Sequence, residues 1–163
     1  MIKLEPLITT NKDYIIELSL EDNSFIFNSN NIHRKFNISF KNILGIELLS
    51  IKGNLEELIE LSSSLFSFVY SDMISDIFYF PKNNYYKQYC LSYGNINNQY
   101  NSELITFKVL EEISPYEFNT RISFICDYDF LYNLEFQLCT LLDNVYNLHD
   151  IFPDNDMLEY LGL

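Results

Sequence analysis

Tryptophan is absent from this 163-residue chain, and glycine is scarce, with single residues at 45, 53, 94 and 162. Phosphate-cradling loops and dinucleotide-binding turns need several glycines close together, so nucleotide-dependent catalysis is disfavoured. The missing indole also weakens any reading of the surface as a sugar-stacking platform. Histidine occurs twice, and a Ser-His-Asp or Cys-His arrangement would have to recruit one of the two. His33 lies in an Asn-rich turn beside Arg34 and Lys35, whereas His149 follows a helix, whose C-terminal dipole favours a partly positive imidazole. Both positions read as structural.

Cysteine is sparse and unpaired in pattern. Cys90, Cys126 and Cys139 are odd in number and lack the C-x-x-C spacing of zinc or thioredoxin-like chemistry. Free thiols in a reducing compartment are expected, with no metal and no cofactor. Long apolar runs are missing too. The most apolar internal stretch, Leu65 to Tyr70, falls far short of the ~20 residues that span a bilayer. Glu5, Pro6 and Asp13 interrupt the N-terminal segment where an export signal would need an apolar core. A soluble, cytoplasmic protein is the expectation.

Positive charge is the last scarcity, and it is regional. After Lys108 there are eleven acids against Arg121 alone, while residues 1 to 108 carry twelve acids and nine bases. Ten of the thirteen net negative charges therefore lie in the final third. Such a region repels nucleic acid phosphates and anionic lipids and favours a basic protein. Acidity that serves only solubility is the competing explanation.

What is present is apolar and aromatic: 48% hydrophobic residues, with 14 Phe and 13 Tyr. This composition is globular, and the length fits one domain spanning 1–163, with 150–163 as a short acidic tail. Tyr14, Ile16, Leu18 and Leu20 alternate as a half-buried strand requires. Ser24 to Asn28 and the Phe36, Ile38, Phe40 alternation extend an antiparallel meander. Residues 44 to 51 read as a strand or a short helix. Asn54 and Glu57 have capping-box spacing ahead of Leu55, Leu58, Ile59, Ser62, Leu65, Phe66 and Val69, which predicts a helix over 54–69. Four strands follow near 76–80, 85–93, 103–110 and 119–126, then a second helix over 128–148 with a leucine stripe from Leu131 to Leu148. Strands and helices do not alternate regularly. An α+β fold, a mainly antiparallel sheet carrying two helices, is expected.

The most enzyme-like segment is Ile122 to Asp129, an apolar strand running into Asp127-Tyr128-Asp129. It resembles the nucleophile motif of haloacid-dehalogenase-type phosphatases, in which the first Asp attacks phosphate and the second serves as acid and base beside magnesium. That fold places the motif at its beginning and needs a downstream Lys, whereas no base follows Arg121 here. Asp127 or Asp129 is instead expected to cap the second helix.

Two constellations suit binding. On the second helix Asp129, Tyr132, Phe136, Asp143 and Asn147 fall opposite the leucine stripe, so Phe136 should face away from the core. An aromatic ringed by carboxylates, with Asp150 just beyond, combines a contact anchor with charges that steer encounter. Tyr85, Lys87, Tyr89, Leu91 and Tyr93 share one strand face, where tyrosines serve recognition or sit half-buried at a sheet rim. The profile as a whole predicts an acidic, non-enzymatic binding protein of the immunity type, an antitoxin that blocks a basic bacterial toxin domain such as a nuclease. The alternatives are a DNA-mimicking inhibitor, an adaptor of another basic protein and a metal-dependent phosphohydrolase using Asp127 and Asp129.

Overall fold

The computed structural model describes residues 2–21, 35–71, 74–80, 89–96, 104–115 and 117–146. The strand expected at 24–28, both histidines, Tyr85, Lys87, Asn147, Leu148, Asp150 and the 150–163 tail lie outside the described residues.

The α+β architecture is present, built on two antiparallel sheets where the sequence predicts one. In the first sheet β1 (Ile2–Lys3), β3 (Tyr14–Leu20), β4 (Lys35–Asn42) and β5 (Glu47–Asn54) lie in that order, and β2 (Leu7–Ile8) also pairs with β3. α1 (Leu55–Tyr70) then interrupts the strands. Its sixteen residues carry the chain about 24 Å, so the next strand starts a new ladder instead of pairing with β5. The second sheet follows in sequence order: β6 (Ser75–Phe80), β7 (Tyr89–Asn95), β8 (Leu104–Ser114) and β9 (Glu117–Asp127). α2 (Tyr128–Tyr146) continues directly from β9.

Of residues 44–51, those from Glu47 onward are strand β5, and Leu44 to Ile46 belong to the turn between β4 and β5, where Gly45 takes φ +84°. Both helix starts are fixed by side chains. Asn54 Oδ1 accepts from Glu57 N at 2.8 Å while Glu57 Oε1 accepts from Asn54 N at 3.1 Å, completing the capping box. Asp127 Oδ1 accepts from Phe130 N at 2.9 Å at the start of α2. The D-x-D segment thus caps a helix, as expected.

Each sheet turns one face inward, and both helices lie against those faces. Ile16, Leu18 and Leu20 of β3, Phe36, Ile38 and Phe40 of β4, and Ile122, Phe124 and Cys126 of β9 are all buried. With Leu58, Leu61, Leu65 and Phe68 of α1 and the stripe Leu131, Leu134, Leu138, Leu141 and Leu142 of α2 they form one continuous core. Aromatic pairs bridge the sheets, Phe36 to Phe80 and Tyr14 to Phe124, each with ring centroids 5.8 Å apart. The outward face of the first sheet is polar by contrast. There Lys41 and Lys3 donate to Glu17 Oε2 at 2.9 and 3.2 Å.

Candidate functional site

Folding sorts the charge of this chain by element type. α1 contributes Glu56, Glu57 and Glu60, α2 contributes Asp129, Glu135 and Asp143, and neither helix contains a base. Every described base lies on a strand or, for Lys12, in the turn before β3. The helical layer therefore carries acids and no base, drawn from both the balanced part of the sequence and its acidic final third.

The two helices run antiparallel. Ser62 on α1 meets Cys139 on α2, with Oγ and Sγ 3.5 Å apart, and Tyr70 at the end of α1 meets Tyr132 near the start of α2. Along the solvent side of this seam the apolar stripes do not close. Phe136 is 70% exposed, Tyr70 56% and Phe66 49%, and Tyr132 is also exposed. Phe66 packs on Tyr70 at 4.5 Å between centroids, Tyr70 packs on Tyr132 at 5.3 Å, and Phe136 stands one turn beyond Tyr132. Four aromatic rings thus form a ridge along the helical pair, with Asp129 and Asp143 exposed about two helical turns either side of Phe136.

The sequence-derived set divides on the structure. Asp129, Tyr132, Phe136 and Asp143 share the outward face of α2, so Phe136 does face away from the core. Tyr93 requires a correction, because it is fully buried and unavailable to a partner. The face shared by Tyr89, Leu91 and Tyr93 is the inward face of β7: Leu91 is buried with Tyr93, and Tyr89 is half-buried against the core. The Tyr93 ring packs edge-on against Phe68 at 5.1 Å, its hydroxyl bonds Ser64, and Ser64 Oγ in turn donates to Asp76 Oδ2 at 2.7 Å. Burial pushes that hydroxyl far above its ordinary pKa, so Tyr93 is a neutral, satisfied core residue.

Sequence reasoning missed Phe66 and Tyr70. Phe66 and Ile59 belong to the helical spacing expected to face the core, yet both are exposed, because the stripe is too wide for one buried face; Phe66 lies at its α2-side margin. The width was the available signal: positions 55, 59, 62, 66 and 69 and positions 58 and 65 together cover more than a single ~100° arc. Glu135 was missed as well. It is buried beside the seam, where Cys139 Sγ donates to its Oε1 at 2.9 Å. Desolvation, followed by the neighbouring Tyr132, Glu135 and Cys139, raises the pKa of the Tyr70 hydroxyl above its ordinary value.

No group of three or more metal-ligating side chains occurs among the described residues, and no described helix is long and apolar enough to cross a membrane. No protein-family model, no curated protein and no solved structure matches this chain.

Proposed function

We propose that this chain is an acidic, non-enzymatic binding protein of the immunity type, whose helical layer docks on a basic toxin domain and blocks it. The observation that carries the reading is the coincidence of two features on one face. An aromatic ridge of Phe66, Tyr70, Tyr132 and Phe136 stands exposed on a pair of helices that contain no base and six acids, of which Glu57 and Glu135 are buried and the other four reach the surface. Exposed aromatic area supplies desolvated contact energy at an interface, and rim carboxylates raise the encounter rate with a basic surface by ~10 to 10³-fold. A nucleic acid would be repelled by the same face, and a neutral protein would gain nothing from its charge.

An immunity protein is expected to be encoded beside its toxin, so the test uses the product of the adjacent gene. That product should arrest growth when expressed alone, and co-expression of this chain should relieve the arrest through a complex that survives gel filtration. Phe136→Ala should weaken both effects while the melting temperature of the free protein changes little. An adjacent product that is harmless, or that forms no complex, defeats the reading.

A further inference from the structure

Glu135 is buried on the side of α2 that meets α1, with 9% of its surface exposed. Removing a carboxylate from water is costly unless donors replace the lost hydration. Among the described residues Glu135 has one donor, the Cys139 thiol at 2.9 Å from Oε1, and a thiol donates weakly. No described base pairs with it, and its second oxygen, Oε2, has no protein donor. That oxygen is not sealed in the core, because Gln137 Oε1 is the buried side-chain oxygen left unpaired among the described residues. Three rings frame the carboxylate. The antiparallel seam is fixed by Ser62 against Cys139 and by Tyr70 against Tyr132, which puts Phe66, midway on α1, level with Glu135, midway on α2. Tyr132 lies one turn before Glu135 on α2. After desolvation and Tyr132, Glu135 is the next cause that raises the Tyr70 hydroxyl, so carboxylate and hydroxyl lie close together. Phe66, Tyr70 and Tyr132 are exposed, and neither helix supplies a cation to them.

A buried, underpaired carboxylate framed by exposed aromatic rings has the chemistry of a receptor for an organic cation: the ring faces attract it, and the carboxylate accepts its hydrogen bonds. We infer that Phe66, Tyr70 and Tyr132 receive the guanidinium of one arginine of the basic partner protein, stacked on the rings and hydrogen-bonded to Glu135 Oε2; this rests on the reading of the chain as an inhibitor of a basic protein. Guanidinium suits the site better than ammonium. It is planar, stacks on rings and is weakly hydrated, so less is lost when it reaches a buried acid. Glu135 also differs in role from the exposed acids Asp129 and Asp143. Those act on approach, through solvent, whereas a buried carboxylate acts in the docked complex, where the paired charges are desolvated. The described arginine of this chain, Arg121, is already bonded to Glu111.

The test has two arms. In the first, N-acetyl-arginine methylamide and its lysine counterpart are titrated into the unaltered chain, with the ring signals of Phe66, Tyr70 and Tyr132 followed by NMR. The arginine probe should shift all three saturably, and the lysine probe should bind several-fold more weakly. Glu135→Gln keeps the size of the side chain and an acceptor for Cys139, so it should melt no lower than the parent and lose the titration. Asp13→Asn, an equal change in charge at an exposed turn, should retain it. In the second arm, Glu135→Gln should raise Kd for the purified product of the adjacent gene by roughly 30-fold or more, chiefly through faster dissociation. No saturable titration, or one that persists in Glu135→Gln, overturns the arginine site whatever the adjacent product does. Equal binding of the lysine probe overturns the assignment to guanidinium. A complex whose Kd ignores Glu135→Gln overturns the contact and leaves the helical reading standing. Absence of any complex, with the probe still bound, defeats the immunity reading and the assignment of the arginine to that partner. A dimer of the chain alone that dissociates in Glu135→Gln would give the site to a second copy and overturn the proposal.

Discussion

The ring of Tyr70, the last residue of α1, meets the ring of Tyr132 on α2 edge-on, with centroids 5.3 Å apart and planes at 75°. An edge-to-face pair of this kind contributes about 0.5–1.5 kcal/mol beyond its buried area, so the seam between the helices is clasped at its surface. The clasp leaves Phe136 outside. Its ring is neither core nor part of this pair, and it stands on a helix whose opposite side is an unbroken leucine stripe.

Phe136→Ala should therefore change the stability of the free protein by no more than about 0.5 kcal/mol, as for other exposed sites. Leu138→Ala, two residues away and fully buried, should cost about 2–5 kcal/mol. Urea unfolding of the two variants checks the contrast. A large loss in Phe136→Ala would mean that the ring supports the fold, and its anchoring role would fall with that result.

Removing the rim carboxylates should act on a different rate. Asp129→Asn with Asp143→Asn should slow association with a basic partner and flatten its dependence on ionic strength, while dissociation is nearly unchanged. Stopped-flow binding to the adjacent gene's product at two salt concentrations measures this. Association that ignores salt in the parent protein would remove the electrostatic half of the proposal.

Local chemistry made much of this fold legible. The capping box at Asn54 and Glu57, the acidic cap at Asp127 and the period-2 alternation of β3 each act within a few residues, and each appears where the sequence places it. What escaped were decisions made between elements. Whether the strands form one sheet or two depends on where α1 returns the chain, and whether Tyr93 faces water or core depends on which side of β7 the helices cover. Phe66 escaped for the same reason. A wide apolar arc does not say how much of its margin a neighbouring helix will cover, and the ridge exists only once α2 has packed alongside and left Phe66 and Tyr70 at the surface.

Gly53 tests the packing between the sheets. A Cβ there would fall 2.7 Å from Cζ of the Phe36 ring and 3.2 Å from Cε1 of Phe80. The Phe36 ring is fully buried and packs edge-on against Phe80, so it has no space to yield. Gly53→Ala should cost about 1–3 kcal/mol by overpacking. Gly45→Ala should cost roughly 1 kcal/mol for another reason: its Cβ would meet nothing within 4 Å, and only the left-handed backbone resists it. Adding Phe36→Leu should recover part of the first loss and none of the second.

On the acid side, Glu17 sets a pH dependence. Hydrogen bonds from Lys41 foremost, and from Lys3, hold its carboxyl pKa below the ordinary value against a smaller opposing effect of burial. A lowered folded-state pKa means stability that is present above the unfolded carboxyl pKa of about 4.3 and is lost as pH falls through the folded value. Glu17→Gln should therefore unfold with a shallower acid transition. An unchanged acid limb would show that this pair contributes nothing.

On the alkaline side the thiols act with the opposite sign. Burial, with smaller contributions from nearby acids, pushes Cys90 and Cys139 up to about 11 and Cys126 up to about 12, and none of the three is in a disulfide. The folded protein keeps protons that the unfolded chain releases near pH 8.5. The resulting stability is full below that value and is lost as pH climbs through the folded-state values. At pH 8 the native protein should react slowly with a disulfide reagent, since only thiolate attacks, and denaturation without reductant should expose all three thiols at once. Replacing Cys126 with Ala should lower stability at neutral pH by opening space in the core and at the same time reduce the alkaline loss. Rapid native labelling, or fewer than three thiols on denaturation, would overturn both the burial argument and the expectation of a reducing compartment.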